Sequence, residues 1–543
     1  MKVLRYVLAL FIASVVVSCY EDEGNYIYNE DIHDITVKLK SSYGLRKTKS
    51  IIKHTIIPEI QTVDGDKSAL EYLWMIRNLK NGVEDTLCQT EQADIEIDPN
   101  ASDFSSSYEL FLYVTDTKTG GVTMVPTKIE LAMPYSYAWL LLHEKDGHAE
   151  LGTVEYIASD MVTVPDAYTQ ETGKSLTGKP VNLSVVKNEI NSNYWFGSQS
   201  PAQLYVTTTE PAESGWYEQT EQFTIMGTWS ELIWPTLIGE MDIQNMKTTG
   251  DDLSLLAVSN GKVFRNCVYS PVLFKAVPES TLEGDYYITE CVGGPHCSLA
   301  YDELGHRFIL VYCNSYTWYS FPSTEQDGAS LRPIRESGDN AGNPNQLPEG
   351  EKVIKLINGY WHDRATTIAT WQRYSAYAYS LGDNGKSHVY VLRYRGLTGS
   401  DVTPMPYRFT FDTPEGLTEK TPMTSSWEYN NILFYAVGNQ IFKLDFAAGQ
   451  TTLLYTHPDK SAEFVDLEMA VEGYVSAGDF GNGESLYGHP YSRCLGAALN
   501  TGDGKGELVV LQLNNAGKID SDKKFPSVQV HKGFGPITKI AFF

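Results

Sequence analysis

Chemistry in this sequence has to be sought among fragments that almost complete a motif. His143-Glu144 begins the zinc-protease pattern H-E-x-x-H, but the fifth position is Gly147, so a second imidazole is missing from the spacing that would hold a metal. GESLYG, Gly483 to Gly488, approaches a nucleophile elbow around Ser485, yet Tyr487 occupies the position where the sharp turn needs glycine. ETGKSLTGK, Glu171 to Lys179, lacks the first glycine of a phosphate loop and reads as a surface loop. NTGDGKGE, Asn500 to Glu507, has oxygen ligands without the D-x-D-x-D-G order of a calcium loop, and a hairpin turn accounts for it better. CVGGPHC, Cys291 to Cys297, could close a small disulfide loop or offer ligands with His296, but no second tight pair accompanies it. We assign no catalytic residue, metal or cofactor from the sequence. A carboxylate-based hydrolase or lyase stays an alternative, because acid pairs are set by the fold rather than by spacing.

Aromatic side chains carry more information. The chain has 35 tyrosines, 10 tryptophans and 20 phenylalanines. Such rings serve β-rich cores, and they also stack on the apolar face of a sugar or a peptide side chain. Tyr194 and Trp195 in NYWFGS, and Trp216 and Tyr217 in SGWYEQ, stand among polar, loop-like residues, and at least one of Trp195 and Trp216 is expected to be exposed on a loop as a ligand contact. Trp318 in SYTWYSF and Trp361 in INGYWHDR are the other candidate ligand contacts, the latter beside His362, Asp363 and Arg364. The formal net charge of −26 argues against nucleic acid or an anionic membrane surface as partner.

The elements that would position these rings begin after a leader. Lys2 and Arg5 precede an apolar run from Tyr6 to Val17, shorter than the roughly 20 residues a bilayer span needs, so residues 1–18 read as a secretory signal. Val17-Ser18-Cys19 resembles the lipobox of bacterial lipoproteins, which implies acylation of Cys19 and cleavage before it. Several acyl chains on one residue anchor far more firmly than one, since each buried methylene adds about 0.8 kcal/mol. Glu21, Asp22 and Glu23 resemble the signal that sends Bacteroidetes lipoproteins to the cell surface, and residues 19–31 form an acidic tether.

Residues 32–134 read as an immunoglobulin-like β-sandwich. LEYLWMI places Trp74 on a middle strand, and a Y-x-L-x-L-x-V-T-D run follows from Tyr108, similar to PKD modules. Residues 135–543 change character. AWLLLHEKDGHAELGTVEYI, LSLLAVSNGKVFRNCV, AYAYSLGDNGKSHVYVLRY, NILFYAVGNQIFKLDF and CLGAALNTGDGKGELVVLQL repeat one hairpin design, with turns at Asp146-Gly147, Asn260-Gly261, Asn384-Gly385 and Gly438-Asn439. With weaker copies near Gln203 and Phe308, the hairpins start near residues 138, 203, 253, 308, 376, 431 and 494. That is about 58 residues per repeat, the size of a four-stranded blade with one long loop. The fold expected is all-β: a sandwich followed by a β-propeller of seven blades, with six or eight compatible with the spacing.

The CYEDEGNYIYNEDI start, the PKD-like first domain, the AWLLLHEKDG entry, the YAVGNQIFKLD hairpin and the closing GFGPITKIAFF together resemble the PKD-like family of Bacteroidetes surface lipoproteins. The resemblance spans essentially the whole chain, but its motifs are anchor, turn and strand elements and carry no activity. It implies an outer-membrane lipoprotein facing outward in the company of TonB-dependent, SusC/SusD-type import systems. Its role would be binding a glycan or peptide nutrient, docking onto the importer, or bracing other surface lipoproteins.

Overall fold

The computed structural model describes residues 35–48, 50–63, 65–132, 138–157, 160–186, 203–210, 215–219, 223–233, 237, 239–243, 246–250, 254–267, 275–276, 282–294, 297–312, 330–360, 374–398, 402–426, 429–470, 493–520 and 526–542. Its contacts divide the chain into two compact units, Met1–Ser42 with Lys49–Ile129, and Tyr43–Thr48 with Glu130–Phe543.

In the first unit four strands of the principal sheet run in the order Val122–Ala132, Ser107–Asp116, Leu70–Asn78, Glu84–Cys88. Strict alternation along Ser107–Asp116 buries Tyr108, Leu110, Leu112 and Val114 on one face. Trp74 lies opposite Leu112, is fully buried, and donates its indole N–H to Thr90 O at 3.1 Å. Two-stranded ladders, Thr36–Lys38 with Glu59–Gln61 and Ile52–Ile56 with Ala93–Ile97, bury Ile56, Ile60, Ile95 and Ile97.

Among the described residues, the second unit holds seven four-stranded antiparallel sheets in a propeller-like succession. Sheets two to seven each use four consecutive strands. The first is composite: Ala138–Lys145, His148–Ile157 and Asp160–Val164 are completed by the C-terminal strand Ile537–Phe542. From sheet one to seven the inner strands are Ile537–Phe542, Pro180–Val186, Lys247–Gly250, Ile288–Gly294, Glu351–Tyr360, Met423–Thr424 and Glu463–Met469. Each touches the next, and the seventh touches the first.

Side-chain alternation supplies two cores per sheet. In Tyr374–Gly382, Ala376 and Ala378 pack toward sheet four with Tyr301 and Phe308, whereas Tyr377 and Tyr379 pack toward sheet six with Leu433 and Phe446. Strands buried on both faces therefore read as apolar runs instead of alternating. Similar clusters join sheets one and two (Leu142, Leu204), two and three (Tyr205, Phe264), three and four (Val263, Ile309), six and seven (Phe434, Leu495), and seven and one (Ala498, Trp139). Small residues on one strand admit large rings from the next. A Cβ on Gly496 would fall 2.4 Å from the Trp139 ring.

Two of the four expected turns have paired positive φ, Asn260 and Gly261 at 51° and 74°, and Asp146 and Gly147 at 51° and 83°. In Asn384-Gly385 and Gly438-Asn439 only the glycine is positive, at 74° and 55°. The sequence places the fourth hairpin one strand late. Its start near Phe308 is the third strand, Arg307–Tyr312, while the second is Cys297–Asp302, hidden behind the polar GGPHC.

Candidate functional site

Several buried acids of the second unit are held in ionic and hydrogen-bonded networks. Glu351 accepts a hydrogen bond from Tyr390 OH at 2.5 Å and pairs with the Arg408 guanidinium, while His388 Nε2 lies 3.6 Å away. Burial lowers the pKa of His388 against the opposing pull of Glu351, and burial pushes the Tyr390 hydroxyl well above its usual range. Glu507 meets His457 Nε2 at 3.2 Å and Lys532 Nζ at 3.0 Å. Asp302 accepts from Tyr287 N at 2.8 Å, Gly305 N at 3.0 Å and Arg307 Nε at 2.8 Å, closing a turn. Glu155, raised by burial and opposed by Arg46, pairs with Arg46 at 3.2 Å. Acids so neutralised are suited to fixing turns and strands. A general acid or nucleophile needs a carboxyl facing a substrate instead.

The two ends of the sheets differ in what they present. Side-chain bonds across the inner strands show that neighbours run the same way. Lys247 pairs with Glu290, and Gly293 N then reaches Thr249 Oγ1 at 3.4 Å. Asp466 accepts from Ile540 N at 3.0 Å, and Glu468 accepts from Phe542 N at 2.9 Å. These bonds also satisfy inner-edge amides that no ladder pairs. In sheets four and five the strands ending at Gly294, Tyr312, Tyr360 and Arg393 therefore finish at a common end. There Tyr394, at the start of the short helix Tyr394–Thr398, covers Gly294 and donates its hydroxyl to Asn358 Oδ1 at 2.7 Å. Asn358 in turn donates to Gly293 O at 2.8 Å. At the same end the Arg332 guanidinium lies 4.1 Å from the Tyr312 ring centroid, and Arg393 lies 5.6 Å from that of Tyr407.

This geometry accounts for part of CVGGPHC. Cys291 stands opposite Ala300 and Cys297 opposite Gly294, so the two cysteines occupy neighbouring strands of a hairpin, and Gly294 makes room for Tyr394. NTGDGKGE is the turn between Cys494–Asn500 and Gly506–Gln512, where Thr501 N donates to Lys505 O at 2.8 Å. His143 sits with Nε2 2.8 Å from Pro165 O.

Of the aromatic candidates, Tyr194, Trp195, Trp318 and Trp361 lie outside the described residues, as do Cys19 and Ser485. Trp216 and Tyr217 do not lie in the expected loop. They belong to the strand Gly215–Gln219, with Trp216 opposite Tyr205 on one side and Gly227 on the other. Nothing in the sequence singles out Arg332, Tyr312 or Tyr407; for Arg393 the usable signal is VLRYRG, where arginines flank Tyr394 at the end of an apolar strand.

A model of the PKD-like family matches residues 19–180. No curated protein matches the chain. Among solved structures, a quinoprotein alcohol dehydrogenase-like protein from Bacteroides thetaiotaomicron is similar at 13% identity, covering 93% of this chain and 97% of its own, with a TM-score of 0.41. AztD from Citrobacter koseri aligns at 10% identity over 87% of this chain and 98% of its own, with a TM-score of 0.31. A putative TolB from Agrobacterium tumefaciens aligns at 10% identity over 55% and 90%, with a TM-score of 0.29.

Proposed function

We propose that this chain is an outer-membrane lipoprotein exposed at the cell surface. In this reading its second unit, a closed seven-bladed propeller, binds a glycan or peptide nutrient or docks onto a TonB-dependent SusC/SusD-type importer. One observation supports binding over catalysis. Buried carboxylates such as Glu351, Glu507 and Asp302 are neutralised within structural networks, whereas Arg332 and Arg393 lie over tyrosine rings at one shared end of sheets four and five. Cations beside aromatic rings suit recognition of a polar ligand without bond cleavage. The anchor rests on Val17-Ser18-Cys19 and the acids that follow.

The test is incubation of the purified chain with a broad glycan and peptide panel. Retention without product supports the binder, product formation replaces it with a hydrolase or lyase, and neither result leaves a structural brace. Cys19→Ala should abolish fatty-acid labelling and outer-membrane fractionation. Labelling that persists in this variant defeats the anchor.

A further inference from the structure

Arg393 is 9% exposed, at the end of the strand Lys386–Arg393 on the face of sheet five that meets sheet six. Three other arginines in this unit meet carboxylates, Arg46 with Glu155 and Glu171, Arg307 with Asp302, and Arg408 with Glu351, whereas Arg332 lies over the Tyr312 ring. Arg393 has no carboxylate partner among the described residues, and its guanidinium is placed over the Tyr407 ring. This occurs in a chain with 68 acidic and 42 basic residues, where a carboxylate partner would be easy to supply. Burying a guanidinium without a counter-ion costs more than one cation–π contact returns.

The platform is fixed from behind. Tyr407 stacks on Phe409 at 6.2 Å with 25° between the planes, and Phe409 packs on Phe446 at 5.4 Å. A cation over a ring uses that ring's π face and leaves the N–H fork available for a planar, two-oxygen acceptor. Tyr407 and Phe409 are half-buried, so apolar ring surface lies near the charge. One guanidinium beside a rigid aromatic edge matches one carboxylate carried on a ring with an apolar C–H face.

We infer that Arg393 and Tyr407 form a subsite for the carboxylate of a sugar acid, a uronate within a glycan. The inference rests on the ligand-binding reading and narrows it to acidic glycans. Calorimetric titration of the purified chain would use uronate oligosaccharides, their methyl esters, which keep the shape and remove the charge, neutral oligosaccharides and a glutamate-rich peptide. The expected result is at least tenfold tighter binding of an acid oligosaccharide than of its ester. R393M should erase that discrimination while melting at the same temperature or higher, because a buried charge has been replaced by an apolar chain of similar length. Equal affinity for acid and ester, discrimination that survives in R393M, or Arg393-dependent binding of the peptide alone would each overturn the subsite. Binding confined to neutral glycans overturns the subsite and leaves the binding reading standing. No binding by any ligand overturns both.

Discussion

Tyr394 covers Gly294 so closely that a Cβ on the glycine would fall 2.1 Å from Tyr394 Cζ. The ring comes from the helix that follows the strand Lys386–Arg393 of sheet five and the glycine from sheet four, so the contact helps set how near the two sheets lie. Gly294→Ala should destabilise the second unit by about 1–3 kcal/mol through overpacking, with part of the loss recovered when Tyr394→Ala is added. Urea denaturation of the single and double variants checks this. An unchanged midpoint for Gly294→Ala would mean the sheets are not in this contact.

The inner strand Glu463–Met469 grips the C-terminal strand through its acids. Asp466 accepts from Lys539 Nζ at 2.7 Å as well as from Ile540 N. Asp466→Ala leaves a buried amide without its acceptor and should cost about 1–3 kcal/mol. Amide exchange should quicken along Ile537–Phe542, and uniform exchange in the variant and the parent would refute the role.

Acid should weaken the fold partly through His531. Burial takes this imidazole down to about 4, with Nδ1 3.0 Å from Thr163 Oγ1. The unfolded chain binds the proton first, near pH 6.5, so stability is full above that pH and falls as pH drops toward about 4. The contribution is about 3 kcal/mol. His531→Gln should show a flatter decline across that window in urea titrations. Parallel curves would assign the acid sensitivity to other groups.

Two aromatic-centred changes should separate core from surface. Trp139 is fully buried against Phe542 at 5.0 Å, and Trp139→Ala should cost about 3–5 kcal/mol. Arg332 is exposed, so Arg332→Ala should leave the melting temperature nearly unchanged while weakening ligand retention by about 1–2 kcal/mol. A large stability loss at Arg332 would make its contact with Tyr312 structural.

What was legible in the sequence follows from which signals are local. Asp146-Gly147 and Asn260-Gly261 announce turns because few other residues adopt positive φ, and six hairpin starts match second strands within two residues. The fourth fails because its turn, Glu303 to His306, lacks an Asn-Gly or Asp-Gly pair, with His306 at φ 46°. Trp74 reads as core from its strand alone. Arg393 does not read as buried, because its environment is assembled from Tyr407 on the next strand and aromatic rings of a different sheet, and no local pattern encodes that.

Pairing of Ala138–Lys145 with Ile537–Phe542 joins positions about 400 residues apart in the chain. Until Ile537–Phe542 has been made, the first sheet keeps a bare hydrogen-bonding edge that invites pairing with other chains. Completion of the first sheet thus waits on residues far down the chain. A chain that stops before Ile537–Phe542 should be a sticky, protease-sensitive product rather than a slightly smaller version of the same molecule.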